Sequence, residues 1–379
     1  MTDDHARGVA AGEPQDVEGA EAVVHLREAL YGVPVYKPGK PPTVVPDVVP
    51  YKMSSNENPF PPLPGVVEAV SEAARAMNRY PDMGGAELRT AIAADLGVSP
   101  EEIVPGTGSS GVLSAIVGAS CEAGDEVVYA WRSFEAYPIM VALSGARSVQ
   151  VPVTEDGRHD LAAMSAAITP DTRLVLVCSP NNPTGPAVGA AELEEFLSTV
   201  PEGVLVVLDE AYLEFVRDEA AVDGLAVYRA HPNVVLLRTF SKAYGLAGLR
   251  VGYAVARPRL ATALRSCVIP FAVSDLAARA AIASLGAKKE LFERVEHLVE
   301  ERGRMLAALR DLGYDVPDTQ SNFLWLPLEE LAEGFAEAAD ARGLSVRPFA
   351  GEGVRVSVEV PEANDRLLEV ARDFRGQAS

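Results

Sequence analysis

The sequence predicts an α/β fold: a mostly parallel sheet with helices on both faces in a large domain, followed by a smaller α+β domain. Three observations predict it. Short runs rich in Val, Leu and Ile recur after Tyr80 and alternate with helical stretches. These runs are apolar throughout, as strands buried on both faces are. From about Val273 the texture changes to a long charged helix and then two more strand-like runs, the pattern of a second, mixed layer.

Taken in order, residues 1–22 are rich in Gly, Ala, Asp and Glu without hydrophobic periodicity, and predict a disordered extension. Residues 23–64 predict an N-terminal arm, because prolines recur from Val33-Pro34 through Pro59-Phe60-Pro61-Pro62. Residues 65–272 form the predicted large domain. Its strand candidates are Glu126–Ala130, Arg173–Cys178, Val204–Leu208, Val234–Thr239 and Val251–Ala256. Residues 273–379 form the small domain, with a helix over Lys288–Leu312 and strands at Asn322–Leu328 and Gly353–Glu359. No internal repeat is visible.

A chain of 379 residues is long enough for about two domains. Its formal net charge of -21 argues against nucleic acid or an anionic membrane surface as partner, since phosphates would be repelled. Cys121, Cys178 and Cys267 are far apart and lack metal-ligand spacing, which disfavours a disulfide framework or a zinc site. The acidic first residues do not read as a secretory signal, and no apolar run approaches the ~20 residues of a membrane span. A cytoplasmic protein is expected.

Ligands of open α/β sheets bind beyond the carboxyl ends of the strands, so the residues just past each apolar run matter most. After Arg173–Cys178 comes Ser179-Pro180-Asn181-Asn182-Pro183-Thr184-Gly185. After Val204–Leu208 comes Asp209-Glu210-Ala211-Tyr212, and after Val234–Thr239 come Ser241, Lys242 and, eight residues later, Arg250. Upstream, Pro105-Gly106-Thr107-Gly108-Ser109-Ser110-Gly111 opens a helical stretch. It lacks the ending of a nucleotide P-loop, but small residues at a helix N-terminus present free N–H groups suited to a phosphate monoester. Singly, these are a glycine turn, a polar turn, a helix N-cap and a solvated lysine. Core packing would not require them together at strand ends.

The ordered set Gly-x-Gly-Ser-Ser, Asn-Asn-Pro-Thr-Gly, Asp-Glu-Ala-Tyr, Ser-Lys-x-x-x-x-x-Gly-x-Arg and a late Val-Arg-Val-Ser resembles the fold-type-I pyridoxal-phosphate aminotransferases. Within them it is similar to the histidinol-phosphate aminotransferase branch, from about Leu26 to Phe374. The resemblance implies pyridoxal 5'-phosphate as cofactor, held by Lys242 as a Schiff base. Lys242 would also shuttle the substrate's α-proton, which a lysine does well when burial and nearby cations lower its pKa. Asp209 would pair with the pyridine nitrogen, and Asn182 and Tyr212 with the ring oxygen. Ser109, Ser110, Ser241 and Arg250 would bind the phosphate, and Phe134 would stack on the ring. Tyr80 would reach the phosphate in a neighbouring subunit, implying a homodimer. Arg355 would grip the substrate α-carboxylate as a bidentate pair, beside Asn182.

For the substrate, Val33–Lys40, Trp131–Pro138, Ile269–Ser274 and Ser321–Leu326 resemble the aromatic (phenylalanine) aminotransferases of actinobacteria more closely. Phe60, Trp131 and Phe271 offer aromatic surface, in cores or to a substrate ring. The expectation is amino transfer from phenylalanine, tyrosine or tryptophan to 2-oxoglutarate. The alternative is histidinol-phosphate aminotransferase, with Arg347 as a second cation near the distal group or the carboxylate. Two other classes remain open on the same framework: a carbon–sulfur lyase, and a ligand-sensing regulator, disfavoured because no DNA-binding module or basic patch accompanies it.

Overall fold

The computed structural model describes Arg27, Leu30, Val33 and residues 35–378; the extension expected over 1–22 lies outside the described residues. The arm reaches a two-residue strand, β1 (Tyr51–Lys52), followed by α1 (Val66–Ala74) and α2 (Ala86–Leu96). Strands and helices then alternate: β2 (Ile103–Thr107), α3 (Gly108–Ser120), β3 (Glu126–Trp131), α4 (Ala136–Ser144), β4 (Arg147–Pro152) and α5 (Leu161–Ala166). The alternation continues through β5 (Thr172–Cys178), α6 (Ala190–Thr199), β6 (Leu205–Asp209), α7 (Gly224–Ala230), β7 (Val234–Thr239) and β8 (Val251–Val255). These strands form one seven-stranded sheet in the order β2-β8-β7-β6-β5-β3-β4. Every pairing is parallel except those of β8, which runs against β2 and β7.

The apolar runs are continuous because both faces of this sheet are covered. Along β5, Leu174, Leu176 and Cys178 pack with Val112 and Ile116 of α3 and Tyr137 and Val141 of α4, while Val175 and Val177 face the opposite core with Leu193 and Phe196 of α6. Each such Val or Leu contributes about 1.5–3 kcal/mol of burial, so polar positions in the central strands would be costly on either side. The expected strands and the observed ones coincide within a residue or two. β2 and β4 were not among the expected runs. β2 carries Pro105 and Gly106, and β4 is an edge strand with only Val151 buried, so neither is an apolar block. The expected helical start at Pro105–Gly111 divides accordingly: Pro105–Thr107 end β2, and α3 begins at Gly108.

Beyond β8 come α8 (Pro258–Cys267), α9 (Asp275–Gly286) and α10 (Lys288–Asp311), then β9 (Phe323–Glu329), α11 (Ala332–Asp340), β10 (Leu344–Ser345), β11 (Arg347–Phe349), β12 (Glu352–Ser357) and α12 (Pro361–Ala378). In α10, Leu291, Val295, Leu298, Arg302, Met305 and Leu309 are the buried positions, the spacing of one helical stripe. Strands β11, β12 and β9 form an antiparallel three-stranded sheet. The arm belongs to this smaller unit by hydrogen bonding, because β1 pairs in parallel with β10, Tyr51 opposite Leu344 and Lys52 opposite Ser345. Among the described residues, no helix is long and apolar enough to cross a membrane.

The register of the main sheet brings the polar strand ends together. Cys178 lies opposite Asp209, and Asp209 opposite Leu237, so β5, β6 and β7 end at one edge. Asn182, Asp209 and Lys242 therefore emerge side by side, facing the small sheet.

Candidate active site

At that edge lies a cavity of about 380 Å³. Lys242, Asp209, Asn182, Tyr212, Ser241 and Phe134 line it, as do Ser109, Ser110, Arg250, Arg347 and Arg355. Of the residues expected in the site, Tyr80 does not, nor do the aromatic candidates Phe60, Trp131 and Phe271: Phe60 and Trp131 pack against the two cores, and Phe271 stacks on Tyr80.

Lys242 Nζ donates to the Ser55 carbonyl at 3.1 Å and stands 5.8 Å from the centre of the Tyr212 ring. Burial, then Arg355, bring its pKa down to about 7 from 10.5, so a substantial share of the amine is uncharged at neutral pH and available as a nucleophile or base. Asp209, at the last position of β6, is 5 % exposed. Its Oδ2 accepts a 2.8 Å hydrogen bond from the Tyr137 hydroxyl, whereas Oδ1 is buried without a hydrogen-bond partner among the described residues. Burial raises this carboxyl to about 6, opposed by the Tyr137 bond. A buried carboxylate with one free oxygen is a strong acceptor for a cationic N–H.

The end of β2 turns directly into α3, placing Ser109 and Ser110 in its first turn with the free amides of a helix N-terminus. Gly252 of β8 makes this approach possible: a Cβ there would overlap the Ser109 amide nitrogen. Arg250 adopts a left-handed conformation (φ 56°) and brings Nη2 to 3.4 Å from Ser110 Oγ. A Cβ on Gly108 would stand 2.7 Å from the same Nη2. Ser241 joins them through the 2.9 Å bond its Oγ accepts from Thr239. One exposed arginine, three hydroxyls and a helix N-terminus make an anion cradle.

Opposite, β12 carries Arg355, buried, with Nη1 donating to Asn182 Oδ1 at 2.5 Å and Nη2 to the Ser54 carbonyl at 2.7 Å; its Nε is buried without a partner among the described residues. Tyr212 is buried, and its hydroxyl accepts from Asn56 Nδ2 at 3.0 Å; burial pushes its pKa up, so it remains a phenol. Phe134 meets Tyr137 edge-on with 5.5 Å between ring centres. Arg347 lies across from Arg355 in the β11–β12 register, but its Nη2 is already engaged by both oxygens of Glu135, at 3.0 and 2.9 Å. Tyr80 is 84 % exposed and stacks on Phe271 at 4.7 Å.

Sequence reasoning missed Tyr137, Glu135 and the run Ser54-Ser55-Asn56. That run had a signal: small polar residues interrupt an extended proline-rich arm, and Ser54 and Asn56 are 1 % exposed. Tyr137 had none, because one more aromatic in a helix reads as core.

This geometry can be set beside known proteins. The family model for aminotransferase class I and II matches residues 49–370. The chain belongs to the class I and II aminotransferases. Among aminotransferases of known name, it is 56% identical over 356 residues to the aromatic amino acid aminotransferase of Streptomyces coelicolor, covering 94% of this chain and 99% of that one. It is 53% identical over 350 residues to the aromatic amino acid aminotransferase of Thermobifida fusca, covering 92% and 97%. Among solved structures it is similar to the histidinol-phosphate aminotransferase of Sinorhizobium meliloti in complex with pyridoxal-5'-phosphate, with a TM-score of 0.81 and 31% identity over 88% of this chain and 92% of that one.

Proposed function

We propose that this aminotransferase is a pyridoxal-phosphate enzyme that moves the amino group of phenylalanine, tyrosine or tryptophan to 2-oxoglutarate, and that it works as a homodimer. The observation that carries the reading is the pairing, in one cavity, of a partly uncharged lysine with a buried carboxylate whose Oδ1 lacks a partner, in a chain so close to aromatic amino acid aminotransferases.

The residues present fit the cofactor. Asp209 Oδ1 would accept the pyridine N–H, whose positive charge removes the burial cost that raises this carboxyl. Ser109, Ser110, Ser241 and Arg250 would take the phosphate at the start of α3. Asn182 and Tyr212 would hold the ring oxygen, Phe134 would cover the ring, and Lys242 would carry the group covalently at Nζ. When bound, pyridoxal phosphate supplies an electron sink for the charge left on the substrate's α-carbon.

The chain's own part is positioning and proton transfer. Arg355 holds the α-carboxylate, common to donor and acceptor, by a bidentate pair, with Asn182 beside it. Lys242 Nζ, with a pKa of about 7, takes the proton from the substrate's Cα and keeps it nearby for return. The small sheet supplies part of the cavity wall, through Arg347 and Arg355. Tyr80, exposed and outside the cavity, would serve the phosphate of a second subunit.

The test is a donor panel with 2-oxoglutarate as acceptor: phenylalanine, tyrosine, tryptophan and histidinol phosphate, run beside Lys242→Ala. Efficient turnover of the aromatic donors, with loss in the variant of the near-visible absorbance that hydride abolishes, is expected. Histidinol phosphate outpacing phenylalanine would replace the aromatic reading, and a reducible band surviving in Lys242→Ala would move the cofactor to another lysine.

A further inference from the structure

The far end of the cavity from Asp209 and Lys242 holds a charge arrangement that the cofactor and the α-carboxylate do not use. Glu135, in the residue before α4, lines the cavity and places both carboxylate oxygens within 3.0 Å of Arg347 Nη2. The two residues are 212 positions apart, and join the loop after β3 to strand β11. The Arg347 guanidinium also lies over the Phe349 ring, 5.5 Å from its centre, and its Nη1 makes only a 3.4 Å contact with the Pro38 carbonyl. Arg355 lies opposite Arg347 in the β11–β12 register and feels both Glu135 and Arg347, so the pair stands next to the position proposed for the α-carboxylate. A substrate held by Arg355 would have this pair within reach of its side chain.

Among the described residues Lys37, which also lines the cavity, makes no ion pair with Glu135, and the neighbouring Arg132 is not free to take Glu135 over. Arg132 is held by Glu352 through Nε at 2.6 Å and through a second contact from Nη2. Its guanidinium sits between the rings of Trp131 and Phe349, at 4.7 and 5.2 Å. Glu135 and Arg347 are thus each other's partners, in a place where a carboxylate from outside would otherwise bind the arginine.

Resting on the aminotransferase reading above, we infer that Glu135 is a specificity-determining residue: its carboxylate occupies Arg347 and biases the distal end of the cavity toward uncharged side chains. An aromatic side chain passes a neutral ion pair flanked by Phe349 and disturbs no charge. A distal carboxylate or phosphate must displace Glu135, or share Arg347 with it, and meets like-charge repulsion while doing so. Both substrate classes of the proposed reaction can then enter, at a cost imposed only on the anionic one. Arg347 alone would have the opposite bias.

The test measures binding rather than turnover. Glutarate and 3-phenylpropionate, which share one carboxylate and differ at the other end, are titrated into the holoenzyme and followed by its cofactor absorbance. Glu135→Gln should shift the ratio of their dissociation constants about tenfold or more toward glutarate, since it replaces the charged partner of Arg347 by a neutral one. In an Arg347→Gln background the same change should leave that ratio within about twofold, because Glu135 acts through Arg347. If 3-phenylpropionate binds the wild-type holoenzyme but Glu135→Gln does not move the ratio, or moves it equally without Arg347, this inference falls and the aromatic reading stands. If 3-phenylpropionate does not bind the wild type at all, both fall together.

Discussion

Replacing Lys242 by methionine should make the cofactor-free protein more stable at mildly acid pH, and the burial of the amine sets the size of the effect. Burial, followed by Arg355, holds Lys242 at about 7 against an ordinary 10.5. Between those values the unfolded chain binds a proton at this lysine that the folded chain gives up, so stability rises with pH across that window. The penalty is complete below about pH 7 and gone above about pH 10.5. At ~1.36 kcal/mol per pH unit it is about 5 kcal/mol in full. Lys242 is only partly buried, and water in the cavity screens it to roughly half, about 2–3 kcal/mol. Methionine matches the length without the charge, but forfeits the bond to the Ser55 carbonyl, worth about 1 kcal/mol. The net gain at pH 6 is about 1–2 kcal/mol, a rise of roughly 2–4 °C. It should shrink as pH rises and change sign near pH 10. Thermal unfolding of the two apoproteins at pH 6, 8 and 10 measures this directly. A variant no more stable than wild type at pH 6, or one whose difference ignores pH, would refute the idea that the surroundings discharge this amine.

Two further substitutions test the supports around it. Tyr137→Phe keeps the ring against Phe134 and removes the O–H bond to Asp209 Oδ2; the carboxyl should then lose its protons about 1–2 pH units higher, carrying the acid limb of the kcat/KM profile upward. An unmoved limb would show that Asp209 does not set it. Gly252→Ala pushes a methyl group into the Ser109 amide, and because the atoms it meets are backbone, the start of α3 must give way. Pyridoxal phosphate, titrated by fluorescence quenching, should bind at least about tenfold more weakly, and retention of full affinity would remove the helix start from the anion cradle.

How legible the molecule was depends on the range of each interaction. The central strands β5, β6 and β7 were plain because two-sided burial makes each an apolar block. Asp209, Asn182 and Lys242 were plain for the same reason, as polar residues where such blocks stop. β4 was not, since an edge strand with one buried side chain has no block to show. The pairing of β1 with β10 could not be read from two residues in an arm. Arg347 stood out as a cation, yet its neutralisation by Glu135 was invisible, because it depends on a contact across 212 residues. Tyr137 became informative only once α4 was seen to start beside the end of β6.

The stitching of β1 to β10 carries a consequence for how such enzymes can be recombined. Ser54 and Ser55 come almost directly after that two-residue strand; one carbonyl takes Arg355 and the next takes Lys242. The arm is therefore a spliced part, early in the chain but shared between Arg355 of β12 and Lys242 beyond β7. A chimera that exchanges residues 273–379 for those of a relative but keeps the original arm would pair a foreign β10 with a resident β1, and the mismatch would be felt at both carbonyls. The natural unit of exchange is discontinuous, residues 51–58 travelling with the C-terminal sheet.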